Sequence, residues 1–168
     1  TAQTRKAPAV IEDVRAMVEA LPDSLGGLRD RALLLVGFVG AFRRSELVGL
    51  DVEDIRPTSE GLVVTLRYSK TDQEGAGEEK ALPYGANPAT CPVRALQAWL
   101  EAAGITEGPV FRSVNRHGQV GATRLSDRSV ANIVKRSAEG AGLDPSRYSG
   151  HSLRAGFATS AARAGAEE

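Results

Sequence analysis

Apolar positions change their spacing along this chain, and the changes mark its elements. Val10, Val14, Met17, Val18 and Leu21 recur at helical intervals. They give a first helix one apolar face, and Pro22 closes it. Residues 22–27 read as a turn. Residues 32–42 carry no charge, so 28–42 reads as a buried helix. Ser45, Glu46, Leu47 and Leu50 suggest a short further helix, and 51–57 leads out toward a sheet. Leu62, Val64 and Leu66 then alternate with Val63, Thr65 and Arg67, the period of a strand. A polar, Gly-containing loop over 69–78 and a returning strand over 80–83 complete an antiparallel hairpin. Pro92 suits a first helical position, and Val93, Leu96, Trp99, Leu100 and Ala103 form one stripe ended by Gly104. Residues 110–112 and the loop around Arg116-His117-Gly118 are irregular, a candidate short hairpin. Ser126 is a candidate N-cap for a helix whose face is Val130, Ile133, Val134 and Ala141, with Gly140 and Gly142 at its end. Residues 144–150 read as a turn and 151–164 as a last helix. The pattern predicts a mainly α domain with a small antiparallel β-sheet, an α+β fold.

Length and composition narrow the picture. A chain of 168 residues fits one domain able to bury a core. Residues 1–9 carry Arg5, Lys6 and Pro8 without periodicity and read as a linker from a preceding domain; 10–168 is the domain proper. Cys91 is the single cysteine, which excludes an internal disulfide and fits a cytoplasmic, reducing setting. The run 32–42 is too short to cross a bilayer, and the first residues hold no apolar signal segment.

Net charge is zero, which by itself does not favour nucleic acid and leaves room for a helical interaction domain. The distribution says more. Residues 112–147 hold seven basic side chains against three acidic ones, a net +4 balanced by −4 elsewhere. That asymmetry predicts a localised basic face; the alternative is a solvated helix with chance clustering.

Two short stretches carry the candidate chemistry. In His151-Ser152-Leu153-Arg154, a proton-transfer group and a fixed cation are three apart at a helix start and point the same way. Far upstream, Arg43-Arg44-Ser45-Glu46-Leu47 offers a second fixed cation. Two guanidiniums and an imidazole suffice to hold a phosphodiester without a metal, because arginine forks bind phosphate oxygens in pairs. Local readings compete. Arg43 could be a cation at the end of the buried helix, Glu46 an ordinary i,i+3 ion-pair partner, and His151 a helix-terminal residue packed on Tyr148. His117 has no partner pattern, and neither histidine has the neighbours of a zinc site.

Together these stretches resemble the tyrosine recombinase (phage integrase) family, whose signatures are Arg followed by a Glu-Leu pair and, much later, His-x-x-Arg. Cys91-Pro92-Val93-Arg94-Ala95-Leu96 adds to the likeness as a packing motif, and the order of elements agrees over nearly the whole chain. The resemblance implies a site-specific recombinase that breaks and rejoins double-stranded DNA through a 3′-phosphotyrosine, without cofactor or metal, as a homotetramer on DNA. It implies catalytic roles for Arg43, Lys70, His151 and Arg154, with Glu46 supporting. Lys70, in the hairpin, would act as the acid that protonates the leaving 5′ oxygen, with Lys80 on the return strand as its competitor. Arg128, in the first turn of the basic helix, would read bases, while Arg116 and Arg147 would hold phosphates. The family's nucleophilic Tyr follows His-x-x-Arg, whereas Tyr68, Tyr84 and Tyr148 all precede it here. The expectation is a catalytic domain incomplete at its C-terminus and unable to cleave alone. A non-catalytic architectural protein of the same fold and a type IB topoisomerase are the rivals.

Overall fold

The computed structural model describes residues 11–67 and 77–148. Helix α1, Ile11–Glu19, buries Val14 and Met17. Helix α2, Leu25–Val39, starts earlier than its apolar run because Ser24 caps it: the Ser24 hydroxyl accepts the Gly27 N–H at 3.1 Å. It also stops earlier, at Val39. The Gly40 N–H bonds back to Val36, and Ala41 turns the chain with φ 54°. Phe42, which the apolar run places in this helix, is fully buried but lies past its end.

Helix α3, Arg44–Gly49, and a 3-10 turn, Val52–Asp54, lead into a three-stranded antiparallel sheet in the order β1, Ile55–Thr58; β2, Gly61–Leu66; β3, Glu78–Pro83. The alternation in β2 holds: Leu62, Val64 and Leu66 are buried. Strand β1 is an addition to the expected hairpin. It carries Pro57, which an edge strand tolerates because it need not donate there. In the β2–β3 register Leu62 faces Leu82 and Val64 faces Lys80. A lysine therefore stands on the inward face of β3.

Helix α4, Pro92–Ala103, follows buried Cys91, whose sulfur accepts the Gly85 N–H at 3.1 Å and the Arg94 N–H at 3.5 Å. It ends at Gly104, in the left-handed conformation at φ 68°. Trp99 is fully buried with its indole N–H on the Val110 carbonyl at 2.8 Å. The irregular stretch forms a hairpin, β4, Arg112–Val114, with β5, Val120–Arg124. Helix α5, Asp127–Gly140, is capped by Ser126 and followed by a 3-10 turn, Pro145–Arg147.

α2 packs on α4, α1 on α2 and α5, and α3 on α5, around one continuous core. These are the helices and small antiparallel sheets of the expected α+β fold. Among the described residues, no helix is long and apolar enough to cross a membrane. The helix expected over 151–164 lies outside the described residues.

Candidate functional site

The turn between α2 and α3 presents Arg43. Gly40 leaves no space for a side chain: a Cβ there would meet the Phe42 ring at 2.4 Å. Buried Phe42 anchors the turn, and Arg43 follows with its side chain 57% exposed. Arg43 is the residue before α3, not the last of the buried helix as its neighbours in sequence suggest. Glu46 works mainly on backbone. Its carboxylate accepts the Arg43 N–H at 2.7 Å, while the guanidinium stands 4.0 Å away at the limit of an ion pair. That bond satisfies an otherwise orphaned helix-start donor. It fixes the backbone from which Arg43 projects and leaves the guanidinium donors available.

Arg43 and Glu46 line a cleft of about 440 Å³ whose other wall includes Thr65 and Arg67 at the end of β2. Arg67 is held there by Asp51 at 2.8 Å and Asp54 at 3.0 Å. Asp51 also binds Arg124 at 2.7 Å, and Arg124 reaches the Val48 carbonyl at 2.8 Å. One carboxylate thus ties the end of β2 to the end of β5. Partial burial pushes the Asp51 carboxyl up, but hydrogen bonds and charges from Arg124 and Arg67 outweigh this and hold it below its ordinary value. The Asp51 hydrogen bond in turn raises Arg67 against desolvation.

Lys80 fills a different place from the one its charge suggests. Its ammonium donates to the Gly40 carbonyl at 3.0 Å and the Ala41 carbonyl at 3.1 Å, and lies 4.8 Å from the Phe42 ring centroid. Lys70, His151 and Arg154 lie outside the described residues.

The basic segment separates into two groups. Arg112 donates to the Pro109 and Glu107 carbonyls, Arg124 is bound as above, and Arg136 pairs with Asp30 at 3.1 Å. Asp30, 4% exposed, is also held by Arg29 at 3.0 Å. Arg116, Arg128 and Arg147 are exposed and make no ion pair with the described residues. Arg128 stands in the first turn of α5, the helix on which α3 packs. Arg116 lies in the β4–β5 loop beside His117, and Arg147 closes the last 3-10 turn. Tyr148 is buried; desolvation and neighbouring Asp13 raise its hydroxyl pKa, and the hydroxyl donates to Asp13 at 3.2 Å. It is spent on α1. Among the described residues no group of three or more His, Cys, Asp or Glu side chains could hold a metal ion.

No motif in the sequence marks Asp51, Arg67 or Arg124 as a residue that builds this site, and Lys80 enters the sequence reading only as a competitor for the acid role. One signal exists for Lys80: it is in phase with Leu82 on a strand that must bury that face.

Residues 11–168 match the Phage integrase family. The chain belongs to that family. An integrase/recombinase XerD homolog of Selenomonas ruminantium is 47% identical over 164 residues, covering 97% of this chain and 48% of that protein. The chain thus spans about half the length of this relative. Among solved structures, the XerA recombinase superposes with a TM-score of 0.71 at 18% identity, over 98% of this chain and 52% of that one. The XerH recombinase bound to its difH substrate gives 0.68 at 16% identity, over 98% and 45%. At those identities the likeness is one of fold, and it agrees with the tyrosine recombinase catalytic domain.

Proposed function

We propose that this chain is most of the catalytic domain of a site-specific DNA recombinase, joined by residues 1–9 to a further DNA-binding domain. The carrying observation is an exposed Arg43, fixed by its turn at the mouth of a cleft, in a phage integrase family chain. In the proposed reaction a tyrosine oxygen attacks the DNA phosphorus, the bond to the 5′ oxygen breaks, and a 3′-phosphotyrosine and a 5′-hydroxyl result. Rejoining reverses the step on a new strand, so bond energy is conserved. Arg43 and Arg154 hold the non-bridging oxygens as charge develops, which is catalysis by position and electrostatics. His151 exchanges a proton at the phosphate, and Lys70 protonates the leaving oxygen. Glu46 sets the Arg43 backbone. Arg128 reads bases, and Arg116 and Arg147 grip phosphates of double-stranded DNA on which four copies assemble.

No Tyr follows His151 in these 168 residues. The reading therefore draws its nucleophile from beyond Glu168, and the 168-residue chain alone binds without cutting. A nicked suicide duplex, carrying a sequence selected by binding from a random pool, traps the covalent adduct. A longer protein carrying this domain and a downstream Tyr should form an adduct that survives denaturing electrophoresis; its Arg43→Ala variant should form it about 10²–10³-fold more slowly; the 168-residue chain should form none. Specific binding by the longer protein without any adduct would refute recombinase activity and favour an architectural role.

A further inference from the structure

We propose that Lys80 is a positioning residue for Arg43: it caps the end of α2 from strand β3 and thereby sets the turn that aims the guanidinium into the cleft. The inference rests on the reading of Arg43 as a phosphate ligand. It goes beyond that reading by giving the hairpin strand a role in holding the turn.

Three observations carry it. The Lys80 ammonium donates to two successive carbonyls, that of Gly40, the C-cap of the fifteen-residue α2, and that of Ala41 just beyond it. Helix C-termini leave carbonyls without partners and carry partial negative charge, so a cation bonded there is well placed. This is the cap position that sequence alone would give to Arg43. With Lys80 in it, Arg43 is released from that role and lines the cleft. Next, the turn has a conformation that needs holding. Ala41 sits at φ 54°, a region where a Cβ is disfavoured, and Gly40 lies too close to Phe42 for any side chain. Bonds to the carbonyls on both sides of the Ala41 nitrogen and α-carbon fix that geometry. Finally, Lys80 is inward-facing on β3, opposite Val64. The strand that closes the Lys70 hairpin is thereby bonded to the turn that carries Arg43, so two proposed catalytic segments share one anchor.

The role is distinct from acid catalysis. An ammonium committed to two carbonyls is a poor competitor to Lys70 as proton donor. Arg at this position retains donors and charge, whereas Met keeps much of the length and loses both.

The test compares Lys80→Met, Lys80→Gln and Lys80→Arg in the longer, Tyr-bearing protein, at a temperature where circular dichroism shows each variant folded. Lys80→Gln supplies a milder loss if Lys80→Met does not fold. Adduct formation on the suicide duplex should fall about 10–100-fold in Lys80→Met, the scale set by small misplacements of a catalytic group. Duplex affinity should fall much less than the rate, since the phosphate contacts proposed for Arg116 and Arg147 are untouched. Lys80→Arg should recover most of the rate. Amide exchange at residues 41–43 should quicken in Lys80→Met and not in Lys80→Arg. If unaltered protein forms adduct and the folded Met and Gln variants do so equally fast, the positioning role is overturned while the recombinase reading stands. If unaltered protein forms no adduct, that reading fails, and exchange decides the clamp: unchanged exchange at residues 41–43 overturns it as well.

Discussion

The Arg43 turn and the basic segment 112–147 are both held by cations, but the acceptors differ. At the turn, Lys80 bonds neutral backbone carbonyls. In the basic segment Arg112 also bonds carbonyls, but Arg124 and Arg136 bond carboxylates, Asp51 and Asp30, with Arg124 reaching the Val48 carbonyl besides. In both places a cation with acceptors holds structure, and a neighbouring exposed cation has no close ion-pair partner among the described residues. The difference lies in what can undo the hold. Acid neutralises a carboxylate and leaves a carbonyl unchanged. Counting charge along the segment cannot separate the two kinds of arginine; the acceptor does.

The sharpest way to break this comparison is at Asp30. It is buried with Arg29 beside it and Arg136 across from it. Asp30→Ala leaves a buried guanidinium without its partner and should cost about 3–5 kcal/mol. Urea denaturation of the 168-residue chain reads this directly; a loss near zero would mean that water already compensates Arg29.

Arg128 tests the outward-facing group. Arg128→Ala should cost about 1–3 kcal/mol of binding on the selected sequence and much less on a scrambled duplex. Equal losses on both would reduce Arg128 to a phosphate ligand. Stability should not change, since Arg128 has no ion pair among the described residues.

The pH dependence separates carboxylate from carbonyl acceptors. The folded Asp51 carboxyl is held below its ordinary value of 3.8. A depressed carboxyl contributes stability that is present above the unfolded pKa and lost as pH falls through the folded one. The Asp51 contribution should therefore be intact above pH 3.8 and decline below it. Asp51→Asn should remove about 1 kcal/mol at neutral pH, since both arginines are partly exposed. It should also flatten that part of the acid limb. An unchanged limb would show that Asp51 gains nothing from its two arginines.

Much of this arrangement is legible in the sequence because it is local. Period-2 spacing locates Leu62, Val64 and Leu66, and Ser126 and Gly104 mark helix ends, since caps and alternation act within a few residues. The end of α2 departs from the pattern for a physical reason. Phe42 continues the apolar run, but Ala41 takes a left-handed conformation that no apolar pattern encodes and that Lys80 holds from about 40 residues away. The same limit hides Asp30 and Asp51. Their partners, Arg136 and Arg124, lie 106 and 73 residues along the chain. The motif positions Arg43 and Glu46 are legible as residues, but not the division between them: Glu46 bonds the backbone and leaves the guanidinium at 4.0 Å.

Exposed arginines without a carboxylate partner among the described residues are, in the proposed function, the ones that meet DNA. The most direct measurement is duplex affinity of the 168-residue chain against salt concentration, for unaltered protein and for an Arg116→Ala/Arg147→Ala double variant. On logarithmic axes the double variant should be shallower by about 2, roughly 0.9 for each phosphate no longer neutralised, with an unchanged melting temperature. An unchanged slope would contradict the claim, leaving these exposed arginines idle on the surface.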